Sequence, residues 1–132
     1  TLHQLNIGAV LNVAWDIDIS YDVRRRGAPH RPLEYHKVGL IDGEGNDPTM
    51  LLAAVLALHQ LQVRHERTLV SCHAGVSRSI TVVSLYLAGR CQVSFAKALR
   101  QVQKQRPAAC PHPALMRLAL GIDDWTTSIC GC

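Results

Sequence analysis

Near the middle of the chain, a short apolar run at residues 68–71 (TLVS) passes through Cys72-His73-Ala74-Gly75-Val76-Ser77 directly into helical periodicity carried by Ile80, Val83, Tyr86 and Leu87. A strand that hands over to a helix through so short a loop must share one core with it, and the helix is expected to run to about Ala88. The same alternation recurs on either side. Residues 9–14 (AVLNVA) and 33–41 (LEYHKVGLI) read as strands, the second bounded by Pro32 and Asp42-Gly43. Asp47 followed by Pro48 makes an N-cap and first helical position, and Leu51, Leu52, Val55, Leu58 and Leu61 then repeat at helical spacing to near His65. A further helix is expected from its cap Ser94 to Arg106, where Pro107 stops it. A last one covers residues 113–120, with Gly121 as its stop. Strands and helices in this order predict an α/β fold with a mostly parallel central sheet flanked by helices.

With 132 residues, 48% of them hydrophobic, the chain has material for one core, so residues 1–132 are expected to form a single domain. The richest apolar stretch, residues 50–63, is interrupted by His59, Gln60 and Gln62 and falls short of the roughly 20 residues a membrane span needs. No signal-peptide pattern opens the sequence, and a soluble protein without a membrane partner is expected. The formal charge of +4 favours anionic partners, phosphorylated substrates and nucleic acid among them. Five cysteines at irregular spacing do not suit a disulfide framework; the expectation is a reducing cytoplasm, which also keeps a reactive thiol usable.

The chemistry is concentrated in SCHAGVSRS, residues 71–79, where Cys72 and Arg78 stand six positions apart around a glycine. A phosphate monoester needs a nucleophile beneath phosphorus and a cradle of donors around its non-bridging oxygens. Peptide N–H groups of a loop curling into a helix N-terminus supply that cradle, and the helix dipole favours the anion. The same field lowers the pKa of a thiol at Cys72. Arg78 offers a planar fork to two oxygens, which a lysine would not. Gly75 lets the backbone turn inward, and Ser79 can donate its hydroxyl to the sulfur. With 11 arginines in 132 residues, five cysteines give roughly 0.4 accidental matches to the bare Cys-to-Arg spacing, so the weight lies on the whole string between strand and helix.

CHAGVSRS, followed by ITVVSLYLAGRCQVSFAKALRQVQKQRP, resembles the phosphate-binding loop and the next two helices of the dual-specificity phosphatases, a branch of the cysteine-dependent protein tyrosine phosphatases. GLIDGEGNDPTMLLAAVLAL is similar to their general-acid loop and helix, and AVLNVA to an earlier strand, so the likeness covers nearly the whole chain. It implies a small atypical member with the protein tyrosine phosphatase-like fold. It also implies the phosphate-binding loop His73, Ala74, Gly75, Val76, Ser77 and Arg78, and Asp42 as general acid. Independently, a carboxyl on a Gly-flanked loop after a strand is suited to protonating a leaving group; Glu44 and Asp47 are rivals, the latter already explained as a helix cap. The implied reaction needs no metal or other cofactor. Its substrates are phosphotyrosine and, by the same likeness, phosphoserine and phosphothreonine in proteins, with phosphate or another oxyanion bound at the loop. No lysine occupies the variable places of the loop, which leans away from inositol lipids.

Two positions depart from the family pattern. Ser71 stands where a histidine usually precedes the nucleophile, and His112 where an asparagine usually braces the loop; a ring N–H from His112 is the expected substitute. The family's extra N-terminal strand is not recognisable, so the N-terminal sheet edge is either truncated or built differently. These departures keep an alternative open, a weakly active or inactive phosphate-binding module. A basic nucleic-acid-binding domain is a third reading, set back by the scarcity of aromatics for base stacking. Arg24, Arg25, Arg26, His30 and Arg31 either steer acidic substrates or form a solvated loop. Cys91 as a redox partner and Cys130-Gly131-Cys132 as a metal site are outweighed by packing and by a frayed tail. Asp47 stands where a calcium loop needs glycine.

Overall fold

The computed structural model describes residues 6–18 and 33–130, without the side chains of 124–130. The basic stretch 24–31 and residues 131–132 lie outside the described residues. The elements are β1 (Ala9–Ala14), β2 (Glu34–Leu40), α1 (Pro48–Arg64), β3 (Thr68–Ser71), α2 (Arg78–Cys91), α3 (Phe95–Gln105) and α4 (Pro113–Cys130). Among the described residues they form a three-stranded sheet in the order β2-β1-β3, parallel throughout, with Ala9 paired to both Glu34 and Thr68.

β1 is central and buried along its whole length, which is why it reads as an unbroken apolar run rather than an alternating one. Its one polar member, Asn12, is fully buried but bonded: Nδ2 donates to Ile17 O (2.6 Å) and to Tyr35 Oη (3.1 Å), and Oδ1 accepts from Ala14 N–H (3.0 Å). The edge strands β2 and β3 are mostly half-buried. α1 turns Leu51, Ala54, Val55, Leu58 and Leu61 into the core and starts where expected, with Asp47 Oδ1 accepting from Thr49 N–H at 2.9 Å. The only phenylalanine, Phe95, is buried in the same cluster as Leu11, Leu40, Leu85 and Ile122.

Two helix ends differ from expectation. α2 continues past Ala88 through a buried Gly89 and stops at Gln92, whose left-handed backbone (φ 57°) lets its N–H bond Ala88 O. α4 runs through Gly121 instead of ending there. Glycine inside a helix costs about 1 kcal/mol relative to alanine. The added turn compensates by burying Ile122 and by bringing Asp123 Oδ2 to 2.9 Å from the Phe95 N–H at the start of α3. No helix among the described residues is long and apolar enough to cross a membrane.

Candidate active site

Parallel strands leave a sheet at the same edge, so the loops after β1, β2 and β3 emerge side by side. They carry Asp16, Asp42 and Cys72 respectively. Side-chain bonds tie all three together: Ser77 Oγ donates to Asp42 Oδ1 at 2.6 Å, and Arg78 Nη1 donates to Asp16 Oδ1 at 2.6 Å and to Leu40 O at 3.1 Å.

The loop from Cys72 to Ser77 owes its shape to what its carbonyls do. Arg106, just after α3, donates Nε to Gly75 O (2.7 Å) and Nη2 to Ala74 O (3.1 Å), while Cys110 N–H donates to Val76 O (2.8 Å). In a trans peptide the N–H points opposite to its carbonyl, so three carbonyls drawn outward turn the N–H groups of Gly75, Val76 and Ser77 inward. Gly75 has φ +65°, and a Cβ there would stand 3.0 Å from Arg106 Nη2, so both backbone conformation and space call for glycine.

Cys72 Sγ lies 3.2 Å from Ser79 Oγ; the thiol donates to that oxygen, and once ionised it accepts from the hydroxyl. Burial alone pushes the Cys72 thiol up. The Ser79 hydroxyl and the peptide N–H groups of Ser79, Gly75 and Ser77 outweigh it, leaving the thiol below its ordinary value.

Asp42 begins a loop that is braced at both ends. Asn46 Oδ1 accepts from Ile41 N–H (2.8 Å), and its Nδ2 donates to Ile41 O (2.7 Å) and Gly43 O (3.3 Å). Glu44, one rival for the acid, is paired with Arg117 of α4, and Asp47, the other, caps α1. A cleft of about 270 Å³ opens between this loop and α4, lined by Gly43 to Asn46, Ala114, Arg117 and Leu118.

The expected bracing by the His112 ring is corrected. Its main-chain N–H donates to Ser77 Oγ (2.8 Å), while ring Nδ1 accepts from Ala114 N–H (3.0 Å). The residue immediately precedes α4, whose first N–H groups need an outside acceptor, and the ring is used there. Ser71 Oγ is buried and has no hydrogen-bond partner among the described residues. Cys91 and Cys110 are free and exposed.

Four functional contacts went unread in the sequence: Asp16 on Arg78, Arg106 on the loop carbonyls, Cys110 through its peptide, and Asn46 as loop brace. Asn46 in a Gly-rich turn carried a local signal, since Asn side chains bond nearby backbone. The others lie 31 or more positions from their partners, beyond any local pattern.

The family model described as "Dual specificity phosphatase, catalytic domain" matches residues 1–120. The chain is 32% identical over 120 residues to protein phosphatase Slingshot homolog 3 of Homo sapiens, covering 88% of this chain and 16% of that protein. It is 26% identical over 116 residues to dual specificity protein phosphatase 19 of Mus musculus, covering 87% and 49% respectively. It therefore spans less than half the length of either relative. Among solved structures, human DUSP28 matches with a TM-score of 0.77 at 22% identity, over 96% of this chain and 84% of that one. DUSP15 matches with a TM-score of 0.76 at 16% identity, over 97% and 78%. These two likenesses concern the fold.

Proposed function

The chain belongs to the dual-specificity phosphatase catalytic-domain family, and from that premise we propose that it hydrolyses phosphomonoesters through a phosphocysteine at Cys72. The substrate class is phosphotyrosine, phosphoserine and phosphothreonine in proteins. One observation carries the reading: a depressed thiol faces the N–H groups of Gly75, Ser77 and Ser79 in a loop onto which Asp42 is docked through Ser77. In the first step the Cys72 thiolate attacks phosphorus in line, the bond to the leaving oxygen breaks, and Asp42 gives that oxygen its proton. In the second, water attacks the phosphocysteine, Asp42 takes the water's proton, and the S–P bond breaks to regenerate the thiolate. Loop N–H groups and Arg78 hold the equatorial oxygens throughout, and Ser79 O–H steadies sulfur as leaving group.

The test is turnover of an aryl phosphate by the purified chain. Cys72→Ser is expected to remove it, and Asp42→Asn to lower kcat by about 10²-fold or more, the usual worth of a general acid. Turnover that survives Cys72→Ser would end the reading. A second reading, a phosphate-binding module with little or no turnover, is favoured by Ser71, whose unpartnered hydroxyl lends the loop no support. Vanadate binding without turnover by the unmodified chain would select it.

A further inference from the structure

Ser77 stands at the N-cap of α2, where a serine hydroxyl ordinarily accepts from a peptide N–H two or three residues into the helix. Here it makes no such bond. Its Oγ instead donates to Asp42 Oδ1 at 2.6 Å and accepts from the main-chain N–H of His112 at 2.8 Å. Forgoing the cap costs about 1 kcal/mol of helix stability. Local rules of this kind are broken where function requires it.

The rest of Ser77 is held as firmly. Its carbonyl accepts from Thr81 N–H and Thr81 Oγ1, both at 2.9 Å, and the residue is only 8% exposed. Its own N–H is one of the groups that favour the Cys72 thiolate. A single residue thus meets the nucleophile through its backbone and the candidate acid through its side chain. On the other side, Asn46 secures the chain around Asp42 through Ile41 and Gly43. A hydroxyl has one hydrogen to give and two lone pairs to receive. With His112 N–H on one lone pair and Oδ1 in front of the hydrogen, that carboxyl oxygen is committed to accepting, and a protonated Asp42 carries its hydrogen on Oδ2.

We propose that Ser77 is a positioning residue for Asp42: anchored by the His112 peptide, its hydroxyl engages Oδ1 and leaves Oδ2 as the oxygen that gives a proton to the leaving group and takes one from water. Ser77 itself neither gains nor loses a proton, so the balance of the two steps is unchanged. The role rests on the phosphatase reading, since it acts only through proton transfer by Asp42. A hydroxyl that merely shaped the loop would matter equally for every leaving group.

The experiment compares kcat/KM, which reports the first step alone, for phenyl phosphate, whose leaving oxygen needs a proton, and dinitrophenyl phosphate, whose phenolate leaves without one. The variants are Ser77→Ala, Ser77→Thr, Asp42→Asn and the double variant Ser77→Ala with Asp42→Asn. Ser77→Ala should lower kcat/KM for phenyl phosphate on the order of tenfold, the worth of a hydrogen bond to a charged group, and for dinitrophenyl phosphate by less than about twofold. Ser77→Thr keeps the hydroxyl and should recover most of the loss. Added to Asp42→Asn, Ser77→Ala should cost nothing further on phenyl phosphate, because a residue that acts through another is silent once that other is removed. The pH midpoint of Cys72 alkylation by iodoacetamide should stay at the wild-type value in Ser77→Ala, since the contribution of Ser77 to the thiol is its N–H, which alanine keeps. Equal losses on both substrates, a full further loss in the double variant or a shifted alkylation midpoint would each assign Ser77 to loop shape and overturn the role. Undiminished turnover of phenyl phosphate by Ser77→Ala would overturn it as well. Wild type that turns over neither substrate strikes the phosphatase reading and this role together, whereas an active wild type with an indifferent Ser77→Ala strikes Ser77 alone.

Discussion

At Cys72, opposing effects meet on one atom. Burial disfavours the thiolate, and four donors, one of them a hydroxyl, restore it. Removing that hydroxyl in Ser79→Ala leaves burial in place, so the midpoint of Cys72 alkylation against pH should rise; a midpoint that stays put would show that the peptide N–H groups suffice alone. The string SCHAGVSRS made this loop legible because sulfur, turn glycine, arginine and serine sit within nine consecutive residues. Asp16 was not legible, since its meaning depends on a partner 62 positions away. His112 was located but its atoms were misassigned: the backbone braces the loop and the ring caps a helix.

Among the elements, α3 does more than fill space. Its N-cap is Ser94, whose Oγ accepts from Lys97 N–H at 3.2 Å, and it ends where Arg106 reaches the Cys72 to Ser77 loop. Ser94→Ala should lower stability by about 1 kcal/mol with little change in aryl phosphate turnover, measurable by urea denaturation. Arg106→Ala should do the converse. Arg106 is exposed, so folding should survive, while releasing Gly75 O and Ala74 O should cut kcat/KM roughly tenfold. An Arg106→Ala enzyme with wild-type kinetics would mean that the loop keeps its shape unaided. Helix starts were read well because Asp-Pro and Ser caps are local signals. The end of α4 was not, because tertiary burial of Ile122 and the Asp123 contact to α3 outweighed the tendency of Gly121 to stop a helix.

For the molecule as a whole, the sheet has a chemical edge and a structural one. At the structural edge Glu34 accepts from Arg64 Nη2 (2.7 Å) and pairs with His65 (2.7 Å) and His36 (2.6 Å), joining the start of β2 to the end of α1. Arg64, then His65 and His36, hold the Glu34 carboxyl far below the ordinary value for glutamate. A carboxyl lowered by folding contributes stability that is fully present above its unfolded value and is lost as pH falls through the folded one. The melting temperature should therefore drop on acidification from about pH 6 to pH 3, and Glu34→Gln should flatten that limb; parallel profiles for the two proteins would exclude Glu34 as the source. The parallel α/β layout was foreseeable from alternating periodicities, whereas the meeting of Glu34 with Arg64 and His65 required the register of β2 beside α1. A different consequence follows from the loop at the chemical edge. The peptide groups that act on sulfur there belong to a loop held by Arg106 and Cys110, while the side chains of His73 and Ala74 face solvent. On the proposed reading, those two positions are therefore open to exchange without disturbing the contacts that shape the loop, so substitutions at His73 and Ala74 should alter which phosphopeptides are turned over more than the turnover of a small aryl phosphate.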